Sequence, residues 1–313
     1  MKALVTGGAG FIGSHIVDAL LQEGLEVVVI DNLSNSNREH ISSAVKLYEI
    51  DMFDQELENV FAQERPDFVF HQAAQISVAR SMSAPEEDAR MNILGTIHVV
   101  QCAMKYQVKR FIFASSAAVY GKPEFLPISE NQVLQPTSFY GMSKAFAEEY
   151  IRLFSSLGDM KYSIFRYANV YGPRQNINGE AGVIVIFLNK LLAGKPLNIY
   201  GDGLQTRDFI YVKDIARACI KALLARESNI INLSTNKRIS IRSLADTLSN
   251  ITGEIRPIQH LPAKEGDILH SSLDNQLARE KLGWSPNKRL EQGLLETYNY
   301  IYSRKRTQQH IIS

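Results

Sequence analysis

Tyr140-Gly141-Met142-Ser143-Lys144, which opens a helix after Pro136, is the segment whose residue types and spacing most directly suggest chemistry. Four residues of helix advance about 6 Å and return nearly to the same face, so Tyr140 and Lys144 can point into one cleft. A free phenol, with a pKa near 10, is a poor base at neutral pH. A neighbouring ammonium stabilises the phenolate, and bringing the phenol close to neutrality takes about 4 kcal/mol of differential interaction. General acid–base work is most effective there. Ser116 is the third candidate, within Phe113-Ala114-Ser115-Ser116-Ala117-Ala118-Val119-Tyr120-Gly121. Its hydroxyl can hold an alcohol and help pass the proton to Tyr140. Taken singly, a Tyr-x-x-x-Lys pair is common on helix surfaces and a serine pair at a strand end is usually a cap. Their meaning depends on what lies upstream.

Upstream is Thr6-Gly7-Gly8-Ala9-Gly10-Phe11-Ile12-Gly13, between a strand pattern and a helix pattern. Gly7 permits a tight turn, Gly10 lets a pyrophosphate approach the backbone, and Gly13 lets the helix pack close to the sheet. The helix N-terminus then faces the phosphates. Asp31-Asn32 ends the second strand, where a carboxylate accepts from ribose hydroxyls and repels a 2′-phosphate. The expected cofactor is therefore NAD. Asp51-Met52, after the third strand, can touch adenine, and the small residues of His71-Gln72-Ala73-Ala74-Gln75 let backbone approach the dinucleotide.

The elements that must position these residues alternate. Ala3–Thr6, Glu26–Ile30, Phe68–His71, Phe111–Ala114 and Ser163–Arg166 read as strands, with helical patterns such as Gly13–Glu23 between them. This predicts an α/β fold with a doubly wound parallel Rossmann sheet, and puts Ser116 at the carboxyl edge where ligands bind. After Pro173 comes the polar loop Asn176-Ile177-Asn178-Gly179-Glu180, then an apolar helix through Leu192. Ile230–Leu233 reads as one more core strand and Ser243–Ile251 as a helix. The expected division is an NAD-binding domain over 1–173, with a core strand and helix returned from about 208–236. A smaller interleaved lobe is expected over 174–207 and 237–313. The tail from Ser303, with Arg304-Lys305-Arg306, reads as a solvated end.

Composition narrows the partners. The 313 residues are 45% hydrophobic and 21% charged, with a net charge of +1, which offers no field to steer a nucleic acid. No run reaches the roughly 20 apolar residues of a membrane span, and no signal-peptide core precedes the glycine turn, so a cytoplasmic protein is expected. Cys102 and Cys219 have no metal-like spacing and read as reduced structural thiols, with no metal site expected.

Thr6-Gly7-x-x-Gly10-x-x-Gly13, Ser116 and Tyr140-x-x-x-Lys144 together resemble an extended short-chain dehydrogenase/reductase. More narrowly, the likeness, from Lys2 to about Pro286, is to the UDP-galactose 4-epimerase group. That resemblance implies an NAD site that also takes in Phe11, Ile12, Asn92, Ser115 and Tyr167, beside the Tyr140–Lys144 pair. It implies that Asn169 binds the substrate diphosphate and that Val183, in Gly182-Val183-Ile184, meets the nucleotide. Asn198 and Tyr200, in Leu197–Gly203, match the uracil-binding segment, and Arg207 supplies a planar donor fork for phosphate. Read without the resemblance, Arg207 can be a surface ion-pair residue and Tyr200 a core aromatic. Asp267 is expected on a ribose. Lys264 stands where the family often has arginine, keeping a phosphate-neutralising charge without bidentate geometry. Ser271 matches a position that is a bulky tyrosine in members restricted to glucose and galactose, so room for a 2-acetamido group is expected.

The implied reaction is inversion at C4 of a UDP-hexose through a transient 4-keto sugar, on UDP-glucose and UDP-galactose, the N-acetylated pair or UDP-glucuronate. Two alternatives stand. A 4,6-dehydratase or UDP-xylose-forming decarboxylase needs a carboxylate just after the serine, where this chain has Ala117-Ala118. A non-catalytic NAD-binding protein would have no use for an intact Ser116–Tyr140–Lys144 set. The resemblance also implies a homodimer in which the 92–105 segment and the Tyr140 helix form a four-helix bundle with their copies.

Overall fold

The computed structural model describes residues 1–176, 182–263 and 268–312, except the side chains of 308–312. Near-continuous apolar runs such as Val-Val-Val-Ile and Phe-Val-Phe mark strands that will be covered on both faces, and they assemble accordingly. The strands are β1 (Lys2–Thr6), β2 (Glu26–Ile30), β3 (Lys46–Tyr48), β4 (Phe68–His71), β5 (Arg110–Ser116) and β6 (Lys161–Tyr167). With the strand Asn229–Leu233 they form a seven-stranded sheet in the order Asn229–Leu233, β6, β5, β4, β1, β2, β3. Every neighbouring pair is parallel. Strand order reverses between β1 and β4, and the ligand crevice of such a sheet lies at the carboxyl edge of that switch point. The doubly wound sheet expected from the sequence is present.

The helices α1 (Phe11–Gln22), α2 (Glu56–Glu64), α3 (Val78–Ser83), α4 (Pro85–Ala89), α5 (Gly95–Lys105) and α6 (Phe139–Ser156) supply the covering layers. One apolar cluster joins Ile16, Val17 and Leu20 of α1, with Ile215 of the helix Val212–Ala222, to Val5 and Phe70. Another joins Phe61 of α2, Val99 of α5 and Ile151 of α6 to Leu4, Val69 and Phe111. Each such side chain contributes about 1.5–3 kcal/mol on burial, so the sheet is held from both faces. Between α4 and α5 the backbone widens into a π-helical turn, Arg90–Leu94.

A separate apolar cluster holds the second lobe. Phe187 and Leu188 of the helix Val183–Leu192 pack with Leu244 and Leu248 of Ile241–Thr252 and Leu294 of Leu290–Ile312. Its strands are short pairs, Leu197–Tyr200 beside Ile258–Leu261 and Thr206–Arg207 beside Ile239–Ser240, and a third pair, Phe209–Tyr211 beside Asn169–Tyr171, packs against it from the first domain. The polar tail from Ser303 continues the last helix, with Ser303, Arg306 and Thr307 exposed. Arg304 donates to Glu39 at 2.8 Å and lies over the Tyr300 ring, so alternating tyrosines give the basic residues something to cover. Among the described residues no helix is long and apolar enough to cross a membrane.

Candidate active site

Gly7 follows β1 with φ +66°, a conformation that favours glycine, and a Cβ there would lie 2.7 Å from the Ala73 nitrogen. The β1–α1 turn therefore packs directly on the chain leaving β4. A Cβ on Gly13 would collide with the Gly7 carbonyl, which seats α1 on its own turn. Gly10 is the N-cap of α1, which has no side-chain cap, so the N–H groups that open the helix at Phe11 and Ile12 are left for an external acceptor. The Asp31 carboxylate, at the end of β2, accepts from Ala9 N at 2.9 Å, Leu33 N at 3.0 Å and Ser36 Oγ at 2.6 Å. Asn32 Nδ2 donates to Asp51 Oδ2 at 2.8 Å, and Met52 is buried against Gly95. Beyond Ala73 and Ala74, Gln75 N donates to Asn92 Oδ1 at 2.9 Å while Asn92 Nδ2 returns to Gln75 O at 3.0 Å. Tyr167 closes β6 with its hydroxyl 3.5 Å from Gln72 Oε1, and burial holds that phenol well above the usual range. Gln72 Nε2 is buried without a partner among the described residues. An uncapped helix start, a glycine cradle and an orphaned donor at the switch point fit a dinucleotide.

Ser116 is the last residue of β5 and accepts from Ala118 N at 3.1 Å, capping the short 3₁₀ turn Ala117–Tyr120. Ser138 caps α6 by accepting from Gly141 N at 3.1 Å. A Cβ on Gly141 would collide with the Ala118 carbonyl, so this glycine lets the helix start rest on the turn after Ser116. Tyr140 is half-buried in the first turn of α6. One turn on, Lys144 is 3% exposed; its Nζ donates to Ala114 O at 2.9 Å and lies 4.8 Å from the Phe113 ring centre. Burial pushes Lys144 down to about 8, with the Asp88 and Glu148 carboxylates acting the other way. Helix and strand end are thus tied together, and Ser116, Tyr140 and Lys144 share one corner of the carboxyl edge.

The remaining predicted residues lie on the second lobe or, for Asn169, on the strand packed against it. Asn169 is exposed, and with Val183, Gln175 and Phe209 it lines a small cavity. Asn198 and Tyr200 share one strand, and Tyr200 is 41% exposed, outside the core. Arg207 is half-buried and donates to Thr206 O at 3.0 Å. Ser271 N donates to Thr206 O at 3.2 Å, which puts Ser271 beside the Arg207 strand. Lys264 and Asp267 lie outside the described residues.

Residues 3–234 match the NAD dependent epimerase/dehydratase family. The chain belongs to that family. It is 39% identical to the UDP-glucose 4-epimerase of Mycolicibacterium smegmatis, over 96% of this chain and 98% of the relative. It is similar to the crystal structure of Thermotoga maritima UDP-glucose 4-epimerase with UDP-glucose, at 41% identity and TM-score 0.95, covering 97% of this chain and 100% of that one. A UDP-N-acetylglucosamine 4-epimerase from Methanobrevibacter ruminantium, in complex with UDP-N-acetylmuramic acid, gives 36% identity and TM-score 0.93, covering 97% and 98%. NAD is the cofactor of this epimerase/dehydratase.

Behind its Tyr140–Lys144 pair, the family member carries a buried polar network that spacing did not reveal. Ser115, expected on the cofactor side, turns inward and donates to Glu148. Glu148 accepts from Arg166 Nε at 3.0 Å and Nη2 at 2.6 Å, and Arg166 Nη1 donates to Tyr120 Oη at 2.9 Å. Tyr120 in turn donates to Asn232 Oδ1 at 2.7 Å. Burial opposes the Arg166 charge, yet Glu148 and Tyr120 outweigh it and hold the guanidinium above its usual range. One signal was available: Glu148 stands four residues after Lys144, on the buried face of α6. His71 is a second case. It is clamped between Thr6 Oγ1 at 2.7 Å and Thr96 Oγ1 at 3.0 Å, and burial, with Lys144 nearby, pushes it down to about 3. It therefore stays neutral at any working pH.

Proposed function

We propose that this family member is a UDP-hexose 4-epimerase whose proton chemistry is carried by Ser116, Tyr140 and Lys144. The observation that carries the reading is the seat of Lys144: a buried ammonium one turn behind Tyr140, anchored to the carbonyl two residues before Ser116. NAD supplies the acceptor, and later the donor, of the hydride at C4. Tyr140 takes the proton of the C4 hydroxyl as that bond becomes a carbonyl, Lys144 stabilises the phenolate, and Ser116 holds the oxygen. After the ketone turns its other face, Tyr140 returns the proton. The two residues that follow Ser116 are Ala117 and Ala118, which carry no carboxylate to remove a proton at C5. That favours epimerisation over dehydration or decarboxylation.

In this reading, Gly7, Gly10, Gly13, Asp31, Asn32, Asp51, Met52, Ala73, Ala74, Gln75, Asn92 and Tyr167 line the NAD site. Asn169, Val183, Asn198, Tyr200 and Arg207 hold the nucleotide and diphosphate, leaving the hexose free to turn. The domain division is 1–173, with a core strand and helix within about 208–236 returned to it, against a second lobe of 174–207 and 237–313. A cytoplasmic location goes with this activity. Purified protein given UDP-galactose and no added NAD is expected to produce UDP-glucose; no turnover with any sugar nucleotide refutes the reading.

Ser271 favours a wider substrate range. A small side chain beside the Arg207 strand leaves space for a 2-acetamido group, and the Methanobrevibacter relative is named for an N-acetylated substrate. Comparable kcat/KM for UDP-N-acetylglucosamine and UDP-glucose is expected, and exclusion of the acetylated sugar ends this extension. A homodimer is part of the same reading. Phe139, Met142, Phe146, Tyr150, Leu153 and Leu157 form an exposed apolar stripe along and just past α6, at the three- and four-residue spacing of a helix-packing face. Pairing this stripe with its copy, α5 alongside, makes a four-helix bundle; a monomer at every concentration by ultracentrifugation rules it out.

A further inference from the structure

Asp88 lies in the short helix α4 and is 1% exposed. One carboxylate oxygen, Oδ1, accepts from Gln75 Nε2 at 2.7 Å and from Asn92 Nδ2 at 3.1 Å. The other, Oδ2, is buried with no hydrogen-bond partner, and among the described residues no cation stands within ion-pair distance of it. A buried carboxylate in that condition is costly unless a positive charge lies near, so its presence needs a reason.

Connectivity supplies one. Asn92 sits in the π-helical turn, a widening often found at functional sites, and its Nδ2 also donates to Ser143 Oγ at 3.2 Å. Ser143 donates to Tyr140 O at 3.0 Å and is the residue before Lys144. Asp88 is thus joined through one asparagine to the Gln75 loop on one side and to the Tyr140–Lys144 helix on the other. The charged and titratable groups around it are accounted for. Arg80 of α3 pairs with Glu87, Arg90 stacks on Phe53, and Glu86 is exposed. Glu148 of α6 is neutralised by Arg166 of β6, and His71 of β4 is neutral. Lys144 remains: among the described residues its ammonium meets the Ala114 carbonyl and the Phe113 ring, with no carboxylate within ion-pair distance.

We propose that Asp88 is a positioning residue whose buried negative charge is the long-range counter-charge of the Lys144 ammonium, held against the Tyr140–Lys144 helix by the Asn92–Ser143 bridge. The inference rests on Tyr140 and Lys144 acting as described above. Burial pushes Lys144 down to about 8, and Asp88 is the foremost charge opposing that fall. Removing a negative charge near an ammonium favours its deprotonation, so the sign is fixed: without Asp88 the lysine loses its proton at lower pH.

Asp88→Asn keeps the acceptor for Gln75 and Asn92 and removes the charge. With the holoenzyme as purified and UDP-galactose as substrate, the alkaline limb of the kcat profile is expected to move about one pH unit lower, so the pH 9 to pH 6.5 rate ratio falls about tenfold. Asp88→Glu, which keeps the charge, is expected to hold the ratio near that of the unaltered enzyme. An unaltered ratio in Asp88→Asn overturns the proposal, as does an equal loss at every pH. If Asp88→Asn does not fold, Asp88→Ser is measured the same way, and failure of both to fold also overturns it, since the role is then one of assembly. Turnover by the unaltered enzyme, together with an inactive Tyr140→Phe, leaves the catalytic reading standing whichever way Asp88→Asn falls.

Discussion

The two ends of the cleft are built by different means. At the β1–β4 switch point the backbone itself forms the surface: Gly7 against Ala73, an uncapped α1, and Asp31 holding two donors of its own loop and Ala9 N of the glycine turn. The second lobe presents side chains instead, on strands of two to four residues such as Thr206–Arg207 and Leu197–Tyr200, with Tyr200 41% exposed. The Tyr140–Lys144 pair belongs to the first kind, because Gly141 rests on the Ala118 carbonyl and Lys144 on the Ala114 carbonyl, both backbone contacts. A buried, over-determined end suits chemistry, which needs one geometry. An exposed, side-chain end suits the grip on a ligand whose sugar must turn over between half-reactions.

Tyr140→Phe tests that contrast most severely. It removes the proton acceptor alone, so turnover is expected to fall about 10²–10⁴-fold while NAD content and UDP-sugar affinity hold. Loss of binding along with turnover, by calorimetry and extraction of the cofactor, would merge the two ends into one. Glu148→Gln comes next, read as stability. It leaves the Arg166 guanidinium buried without its carboxylate, a loss of about 3–5 kcal/mol. Arg242→Ala, which breaks the half-exposed pair with Asp246 on the second lobe, is expected to cost less than about 1 kcal/mol. Urea denaturation of both variants compares them directly, and equal losses would remove the distinction between a rigid end and an adaptable one.

How far each end could be read from sequence follows the same division. The glycine turn, Asp31 and the strands Glu26–Ile30 and Phe68–His71 were legible because they depend on local backbone geometry and on period, both written along the chain. Tyr140 and Lys144 were legible for the same reason, as one helical turn. Glu148 with Arg166 was not, since the partners are 18 residues apart on different elements. Nor was Asp88, whose role depends on a π-helical turn that no residue pattern announces. On the second lobe, Asn198, Tyr200, Arg207 and Ser271 were reached only through family resemblance. Their strands are too short to carry a period and pair with segments such as Ile239–Ser240 and Ile258–Leu261 far along the chain.

Two binding effects sharpen the contrast further, because they come as a crossed pair. Asp31→Ala removes a carboxylate that organises Ala9, Leu33 and Ser36 and that is proposed to bind ribose. A hydrogen bond to a charged group contributes about 1.5–3 kcal/mol, so NAD affinity is expected to fall roughly 10–100-fold, with UDP binding to NAD-saturated protein unchanged. Arg207→Ala removes a charged donor fork from the other lobe and should weaken UDP by a similar factor while the bound NAD stays. Titration of each variant with each ligand gives four numbers. If the effects stay on their own ligands, the backbone-built and side-chain-built ends act independently. If Arg207→Ala also releases NAD, the second lobe is part of the cofactor's enclosure, and the freedom of the sugar to turn must come from the hexose pocket alone.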